Sequence, residues 1–293
     1  MPPPSNNPKR DDIRAKIAQE LRNPGSRSGK PTRGKARPTD SAHAKPGKRS
    51  AMGIMTTTLW EYPSQHYDDQ LGRKMQGSKD YAGASPSWVI WQLLQRYTRT
   101  GDTVVDPMCG SGTTLDVCKD QKRKGIGFDL SPQRKEITGA DARELPIPDA
   151  VADFVFIDPP YSTHIDYSGD ERCIGKLDAS APMQDDDVMM GHAYYEAMDQ
   201  DIAEIDRILK PGKHMGLYVS DSFKKHKGKK SGTFMPIGFE LFAIMREYFE
   251  PIDIIAVVRH NQKLQRGNWH KAAEEQNFFL RGFNYLFIMK KAG

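Results

Sequence analysis

The strongest constraint on the fold is a regular alternation of short apolar strands with amphipathic helical segments. Strands are predicted at 103–106, 125–129, 137–141, 153–157, 214–219, 252–258 and 284–289. Helices are predicted to begin at 85, 113, 131 and 236, with another around 198–209 that Pro211-Gly212 ends, and no helical pattern separates the last two strands. Five strand–helix alternations followed by a strand pair predict an α/β fold: a parallel sheet with helices on both faces and one antiparallel strand at the end.

Charge divides the chain into two parts. The 293 residues carry a net charge of +5, but residues 1–50 alone hold 13 Lys and Arg against 4 acidic residues. This segment contains no Phe, Trp or Tyr, so it cannot bury enough apolar surface to offset its ordering entropy. We therefore predict a disordered basic arm over 1–57 and a folded domain over 58–293. The arm is interpreted either as a non-specific binder of phosphates or as a solubilising tail.

Several classes of protein are excluded by composition. No apolar run reaches the ~18 residues of a membrane span, and no secretory signal is expected because the basic N-terminus lacks a following apolar segment. The three cysteines show no Cys-x-x-Cys spacing and leave an odd count, so neither a disulfide framework nor a metal site is predicted. We expect no membrane partner and a reducing, cytoplasmic location.

A glycine loop follows the first predicted strand. Gly110 and Gly112 let a ligand approach the backbone, but Leu115 occupies the position of the third glycine in a dinucleotide-binding loop, which argues against a nicotinamide cofactor. Asp106, before the loop, would repel a pyrophosphate and suits an ammonium or sulfonium. Asp129, which ends the next strand, can accept hydrogen bonds from ribose hydroxyls. The pattern predicts S-adenosylmethionine as the cofactor.

A second motif, Asp158-Pro159-Pro160-Tyr161, follows the fourth predicted strand. An exocyclic base amine is a poor nucleophile because its lone pair is delocalised into the ring. A carboxylate from Asp158 and the carbonyl of Pro159 can accept the two amine hydrogens and localise that lone pair. The prolines stiffen the turn, and Tyr161 offers a face on which an unstacked base can lie. These four residues are the predicted catalytic site.

Both motifs resemble those of the amino-methylating DNA methyltransferases. Residues 106–114 are similar to the Asp-Pro-Phe-x-Gly-Ser-Gly-Thr-Thr motif of that family, with Met108 in place of Phe, and 125–132 resembles the motif that follows it. The resemblance spans 58–290 and implies a Rossmann-like, seven-stranded, mostly parallel methyltransferase fold. It places the following residues at the cofactor: Ser85, Pro86, Asp106, Pro107, Cys109, Gly110, Gly112, Thr113, Thr114, Asp129 and Asp141. Ser85-Pro86 would hold the methionine end of the cofactor, and Asp141 would contact its adenine.

The resemblance also bears on the substrate. Asp158 at the first position of its motif favours adenine N6, with cytosine N4 as the alternative. The motif order, with the glycine loop first, is shared with tRNA guanine-N2 methyltransferases that carry Asp-Pro-Pro-Tyr, so an RNA enzyme is the runner-up. A non-catalytic nucleic-acid-binding module is a further alternative. DNA is the expected partner, and the protein is expected to associate with the nucleoid.

Two segments are candidates for contact with nucleic acid. Residues 224–230 contain five lysines, typical either of a solvated loop or of a phosphate-binding one. Residues 260–282 include His260, Arg266, Trp269, His270, Lys271 and Arg281. This second segment is interpreted either as a groove-reading element or as a long hairpin packed on the domain. Residues 162–192, with Asp178 and Asp185 to Asp187, are expected to form a mobile lid. No separate recognition domain is evident, so sequence choice is assigned to these loops.

Overall fold

The computed structural model describes residues 52–293 except 71, 79, 82, 164, 185, 186, 188, 227–231 and 261–265. The predictions for the basic arm up to residue 51, and for Lys227, Lys229 and Lys230, lie outside the described residues. The helices are α1 (Ser87–Tyr97), α2 (Thr113–Asp120), α3 (His192–Ile208), α4 (Ile237–Tyr248) and α5 (Gly267–Gln276), with one 3-10 turn at Ile174–Lys176. The strands are β1 (Leu59–Trp60), β2 (Thr103–Asp106), β3 (Lys124–Asp129), β4 (Ile137–Gly139), β5 (Ala152–Ile157), β6 (Leu209–Val219), β7 (Ser222–Lys225), β8 (Gly232–Met235), β9 (Glu250–Val258) and β10 (Phe283–Lys290).

The main sheet has the order β1-β9-β10-β6-β5-β2-β3-β4. Strand β10 runs antiparallel to both β6 and β9, and the other neighbouring strands are parallel. The predicted α/β class, mostly parallel with one antiparallel strand, is therefore confirmed. The sheet has eight strands and not seven, because Leu59–Trp60 adds to the edge of β9 opposite Ala256 and Val257. A two-residue strand carries no alternation that a sequence pattern can detect.

Helices cover both faces of the sheet, as predicted. One apolar cluster joins α3 and α4 to the sheet, and a second joins α1 and α2 to its other face. All six residues of β5 are buried, as expected for a parallel strand covered on both sides. The packing begins before the predicted domain boundary: Met55 N–H donates to Gln92 of α1 at 2.9 Å, and Gln92 donates to the Gly53 carbonyl at 2.7 Å.

Two helix predictions are wrong: one predicted helix does not form, and another ends earlier than predicted. Residues 130–136 form turns and not a helix, because the Ser131 N–H donates to Asp129 Oδ1 at 2.8 Å and so continues the cofactor loop. Pro211-Gly212 does not end a helix: α3 ends at Ile208, and both residues lie inside β6. Gly212 has φ +72°, and its N–H donates to the Lys291 carbonyl, so glycine allows a local distortion of the strand there.

Two further elements were not predicted. Helix α5 lies between β9 and β10, where no helical pattern was recognised, and none of its residues is buried. It therefore carries no continuous apolar stripe to detect. Strands β7 and β8 form a hairpin, so the lysine-rich segment begins in a strand and not in a loop. Among the described helices, none is long and apolar enough to cross a membrane.

Candidate active site at the carboxyl ends of the strands

The carboxyl ends of β2, β3 and β5 meet at one edge of the sheet, where the chain leaves each strand beside the same cavity. This cofactor cavity is lined by Ser85, Asp106, Pro107, Cys109, Gly110, Thr113, Thr114, Asp129, Asp141, Asp158 and Pro160, among others. Of the other predicted residues, Pro86 and Tyr161 line a second cavity on the far side of Asp158, whereas Gly112 and Pro159 line neither. The topology thus brings the two motifs together.

The glycine loop is fixed by backbone contacts to β3. Gly110 has φ +46°, and its N–H donates to Asp129 Oδ2 at 2.9 Å. The Cys109 N–H donates to the Phe128 carbonyl at 2.8 Å. A Cβ on Gly110 would lie 2.8 Å from the Tyr81 ring, so this position requires glycine for space as well as for conformation. Gly112 is the N-cap of α2, and its φ of +78° lies in the left-handed region, which glycine adopts readily.

Two carboxylates, those of Asp129 and Asp106, line the cofactor cavity beside the glycine loop. Asp129 accepts backbone N–H groups on both oxygens, from Gly110 and from Ser131 at 2.8 Å, and each oxygen keeps a second lone pair for a ligand hydroxyl. Asp106 is buried, accepts the Thr114 hydroxyl and the Met108 N–H, and burial raises its pKa to about 7.

Asp141 has a different arrangement. Arg143 binds both of its oxygens, at 2.8 and 2.7 Å, and these hydrogen bonds lower the pKa of the carboxyl. The same guanidinium donates to the Arg172 carbonyl at 3.0 Å. The carboxylate of Asp141 therefore fixes an arginine that joins the cavity wall to the segment around Arg172.

Asp158 lies at the centre of a hydrogen-bond chain. The Ser85 hydroxyl donates to Asp158 Oδ2 at 2.7 Å, and the Tyr161 hydroxyl donates to Oδ1 at 2.7 Å. Asn284 Nδ2 in turn donates to the Tyr161 oxygen at 3.3 Å. Burial raises the pKa of Asp158 to about 7, although both hydroxyls and the charge of Arg259 oppose that rise. Ser85 thus contacts the catalytic motif itself.

A helix contacts the Pro159-Pro160 turn and holds it in place. The Tyr194 hydroxyl, buried in α3, donates to the Pro160 carbonyl at 2.8 Å. This bond fixes the backbone between Asp158 and Tyr161, since neither Pro159 nor Pro160 can form an N–H bond of its own. The position of the motif is therefore set by packing as well as by the strand that precedes it.

The second cavity, here called the aromatic cavity, opens on the other side of Asp158. Its walls carry Tyr62, Trp88, Tyr161, Tyr167, Tyr218, Phe223, Trp269, Phe278 and Phe279, together with Arg259, Arg281 and Asn284. Asp158, Gly83, Ala84 and Tyr167 line both cavities. A ligand in the aromatic cavity would therefore lie against the same carboxylate that borders the cofactor cavity.

Several site residues were missed by the sequence analysis. Tyr81 lies near Asp106, Asp129 and Asp158, and burial together with these charges raises its pKa. Arg259 follows the end of β9 and Asn284 lies in β10, more than 100 residues after Tyr161 in the case of Asn284. No motif marks any of them. Only knowledge of the strand order places β10 beside the catalytic turn.

The lining of the cofactor cavity selects the charge of its ligand. It contains four carboxylates, Asp106, Asp129, Asp141 and Asp158, against one guanidinium, Arg172. Such a wall favours a cation with hydroxyl groups and disfavours a diphosphate. The residues present therefore fit S-adenosylmethionine. Among the described residues, no cluster of three or more His, Cys, Asp or Glu side chains is placed to hold a metal ion.

Comparison with known proteins finds similarity to DNA methylases over part of the chain. Residues 5–139 match the model of the N6_N4_Mtase family, described as DNA methylase. The chain is 29% identical over 85 residues to the type II methyltransferase M.HpaI of Haemophilus parainfluenzae, covering 29% of this chain and 25% of that protein. It is 38% identical over 60 residues to M.XycI of Xanthomonas campestris pv. cyanopsidis, covering 19% of this chain and 20% of the relative. The chain spans a quarter or less of the length of the curated relatives it matches.

Solved structures of methyltransferases are similar to this chain over most of its length. TrmN from Thermus thermophilus has a TM-score of 0.42 at 15% identity, covering 70% of this chain and 48% of that one. A SAM-dependent methyltransferase from Methanosarcina mazei has a TM-score of 0.41 at 13% identity, covering 68% and 97%. The family match over residues 5–139 and the curated relatives show that part of this chain is similar to DNA methylases of the N6/N4 type.

Proposed function

We propose that this protein transfers a methyl group from S-adenosylmethionine to an exocyclic amine of a DNA base, with adenine N6 as the target. One observation carries the proposal: Asp158 borders both an acidic cavity and an aromatic cavity, and Ser85 and Tyr161 hold its two oxygens in place. A methyl donor on one side and a base on the other would meet at this carboxylate.

The acidic cavity is assigned to S-adenosylmethionine, which supplies a methyl group activated by a sulfonium. Asp129 is the acceptor for the ribose hydroxyls, because its two oxygens are already oriented by the Gly110 and Ser131 N–H groups. Asp106 lies buried at the end of β2 and contributes negative charge beside the loop. Asp141 acts through Arg143, which it fixes against the Arg172 carbonyl.

The reaction requires an amine lone pair that points toward the methyl donor. The Asp158 carboxylate, which lines both cavities, accepts an amine hydrogen and so directs the lone pair out of the ring plane, whereas Pro159, predicted as the second acceptor, lines neither cavity. When the nitrogen forms its bond to the methyl carbon, it must lose a proton, and Asp158 is assigned as the acceptor because it is the carboxylate that lines both cavities. A pKa of about 7 suits a proton acceptor at neutral pH.

The target base is assigned to the aromatic cavity. A base inside a duplex cannot reach Asp158, so it must leave the stack and enter the pocket. Tyr161 and Tyr218 line this cavity beside Asp158, and base–aromatic stacking contributes about 1–3 kcal/mol per base. The choice of adenine over cytosine rests on the resemblance at Asp158. Cytosine N4 is the alternative on DNA.

Residues 1–57 are proposed to act as a basic arm that contacts DNA phosphates, and 58–293 as the methyltransferase domain. The contacts of Gly53 and Met55 with Gln92 extend that domain by a few residues at its start.

Labelled methyl transfer tests this proposal. Methylation-free DNA and unmodified RNA are incubated in parallel with the protein and labelled S-adenosylmethionine, and the modified nucleosides are identified by mass. The expected product is N6-methyladenosine in its deoxy form. Deoxy-N4-methylcytidine would assign the alternative target, and N2-methylguanosine from RNA would overturn the DNA assignment. Cofactor binding without transfer to either nucleic acid would support a non-catalytic module.

A further inference from the structure

Phe279 is an exposed aromatic residue at the mouth of the aromatic cavity. Its side chain is 82% exposed, yet it borders the same cavity as Asp158 and Tyr161. A phenylalanine side chain that is mostly exposed gains little stabilisation from folding and leaves apolar surface in contact with water. Its position beside the site assigned to a base therefore calls for a ligand that covers it.

The backbone holds Phe279 in this position from both sides. Helix α5 ends at Gln276, and Asn277 turns the chain with φ +51°. Phe278 then stacks on Phe223 of β7, with ring centroids 5.7 Å apart and planes 13° apart. Beyond it, the Gly282 carbonyl accepts the Arg259 N–H at 2.9 Å. Phe279 thus projects from a short segment that is anchored at each end.

Two arginines line the same cavity as Phe279. They are Arg259 and Arg281, and Arg281 lies over the Phe234 ring with its guanidinium carbon 4.7 Å from the centroid. A cavity that combines an exposed phenyl ring with guanidinium groups matches a ligand with an apolar interior and an anionic exterior. Stacked nucleic acid has both, since bases lie inside and phosphates outside.

We propose that Phe279 inserts into the DNA base stack at the position that the target base leaves. The inference rests on the proposed function, because it requires a base in the aromatic cavity. Extrusion of a base removes its stacking contacts and leaves a gap in the duplex. A phenyl ring that fills the gap restores stacking with the neighbouring bases, in the way that apolar side chains wedge between base steps in other complexes. The anchored segment carries the ring to that position without further ordering.

The test compares a target base that is paired with one that has no pairing partner and therefore leaves the duplex at a lower free-energy cost. The methylated sequence is first mapped by sequencing DNA modified by the wild-type protein. Two duplexes are then made, one fully paired and one with an abasic position opposite the target base. Initial rates are measured for the wild type, Phe279→Ala, Phe279→Trp and the control Phe239→Ala. Phe239 is 56% exposed and is not among the residues that line the aromatic cavity.

Phe279→Ala is expected to lower kcat/KM about tenfold or more on the paired duplex and less than about threefold on the abasic one, because an unpaired base leaves the stack at lower cost. Phe279→Trp should retain activity on both, and Phe239→Ala should match the wild type. Because Phe279 is exposed, the thermal unfolding temperature of Phe279→Ala should be unchanged.

Two results would overturn the inference. One is an equal loss on both duplexes, or no loss on either, with an active wild type. The other is a wild-type dimer in sedimentation that Phe279→Ala dissociates, which would show that the ring contacts a second copy of the chain. An inactive wild type on every DNA would instead refute the proposed function, so the two failures are distinguishable.

Discussion

Replacing Ser85 by Ala removes one hydroxyl from Asp158 and leaves the rest of the site in place. The Ser85 hydroxyl donates to Asp158 Oδ2 at 2.7 Å, and this bond opposes the rise of the Asp158 pKa to about 7. A hydrogen bond to a charged group contributes about 1.5–3 kcal/mol. That free energy corresponds to roughly a 10- to 100-fold change in an ionisation equilibrium. The Asp158 pKa in Ser85→Ala should therefore rise by about one to two pH units.

The consequence is visible in the pH dependence of methyl transfer. Only the ionised carboxylate can take up the proton that the amine loses, so kcat/KM for DNA falls as pH decreases through the Asp158 pKa. With the pKa of Asp158 raised further, the acidic limb of the profile should move to higher pH in Ser85→Ala. The loss should be roughly 5- to 50-fold near pH 7 and should shrink above pH 9.

Two variants control this experiment. Tyr161→Phe removes the donor to Oδ1 and keeps the aromatic ring, so it should move the acidic limb in the same direction. Ser180→Ala removes a hydroxyl that donates to Asp178 at 2.7 Å, outside both cavities, and should leave the profile unchanged. If the acidic limb of the Ser85→Ala profile does not move, or if the loss of kcat/KM is constant across pH, then Ser85 does not act through the pKa of Asp158.

Three further predictions concern the cofactor loop and the arm. Asp129→Ala should weaken S-adenosylmethionine binding in calorimetry by about tenfold or more, because it removes the ribose acceptor and the partner of the Gly110 N–H. Asp106→Asn should increase the free energy of unfolding at pH 8 and have little effect at about pH 3: burial raises the pKa of Asp106 from 3.8 to about 7, so the stability that it contributes is fully present below the unfolded value and is lost as pH rises to the folded one, on the order of 4 kcal/mol at most. Urea titrations at the two pH values check this. Deleting residues 1–50 should lower DNA affinity at low salt and flatten its salt dependence, as measured by fluorescence anisotropy, while sequencing shows the same methylated sequence.

The sheet could be predicted from the sequence because each parallel strand is short, apolar and followed by a motif. Parallel strands share the edge where they end, so Asp106, Asp129 and Asp158 had to converge there. The elements that escaped prediction lack such a pattern. Strand β1 has two residues, and α5 buries none, so both depend on tertiary contacts that no local periodicity reports.

The contacts that complete the site depend on strand order. Asn284 reaches Tyr161 across 123 positions of sequence because β10 inserts antiparallel between β6 and β9. The Ser85 hydroxyl reaches Asp158 across 73 positions, from the residues that precede α1. The family resemblance implies a cofactor contact for Ser85. The hydrogen bond to Asp158 follows only from the way α1 packs on the sheet.

In the proposed mechanism, Asp158 acts on the base amine and not on the cofactor. Methyl transfer to DNA and S-adenosylmethionine binding, measured side by side for the wild type and Asp158→Ala, test it most directly. Asp158→Ala is expected to abolish transfer while cofactor affinity, measured by calorimetry, stays within a few-fold of the wild type. Near-normal turnover by Asp158→Ala, or a loss of transfer explained entirely by lost cofactor binding, would contradict it.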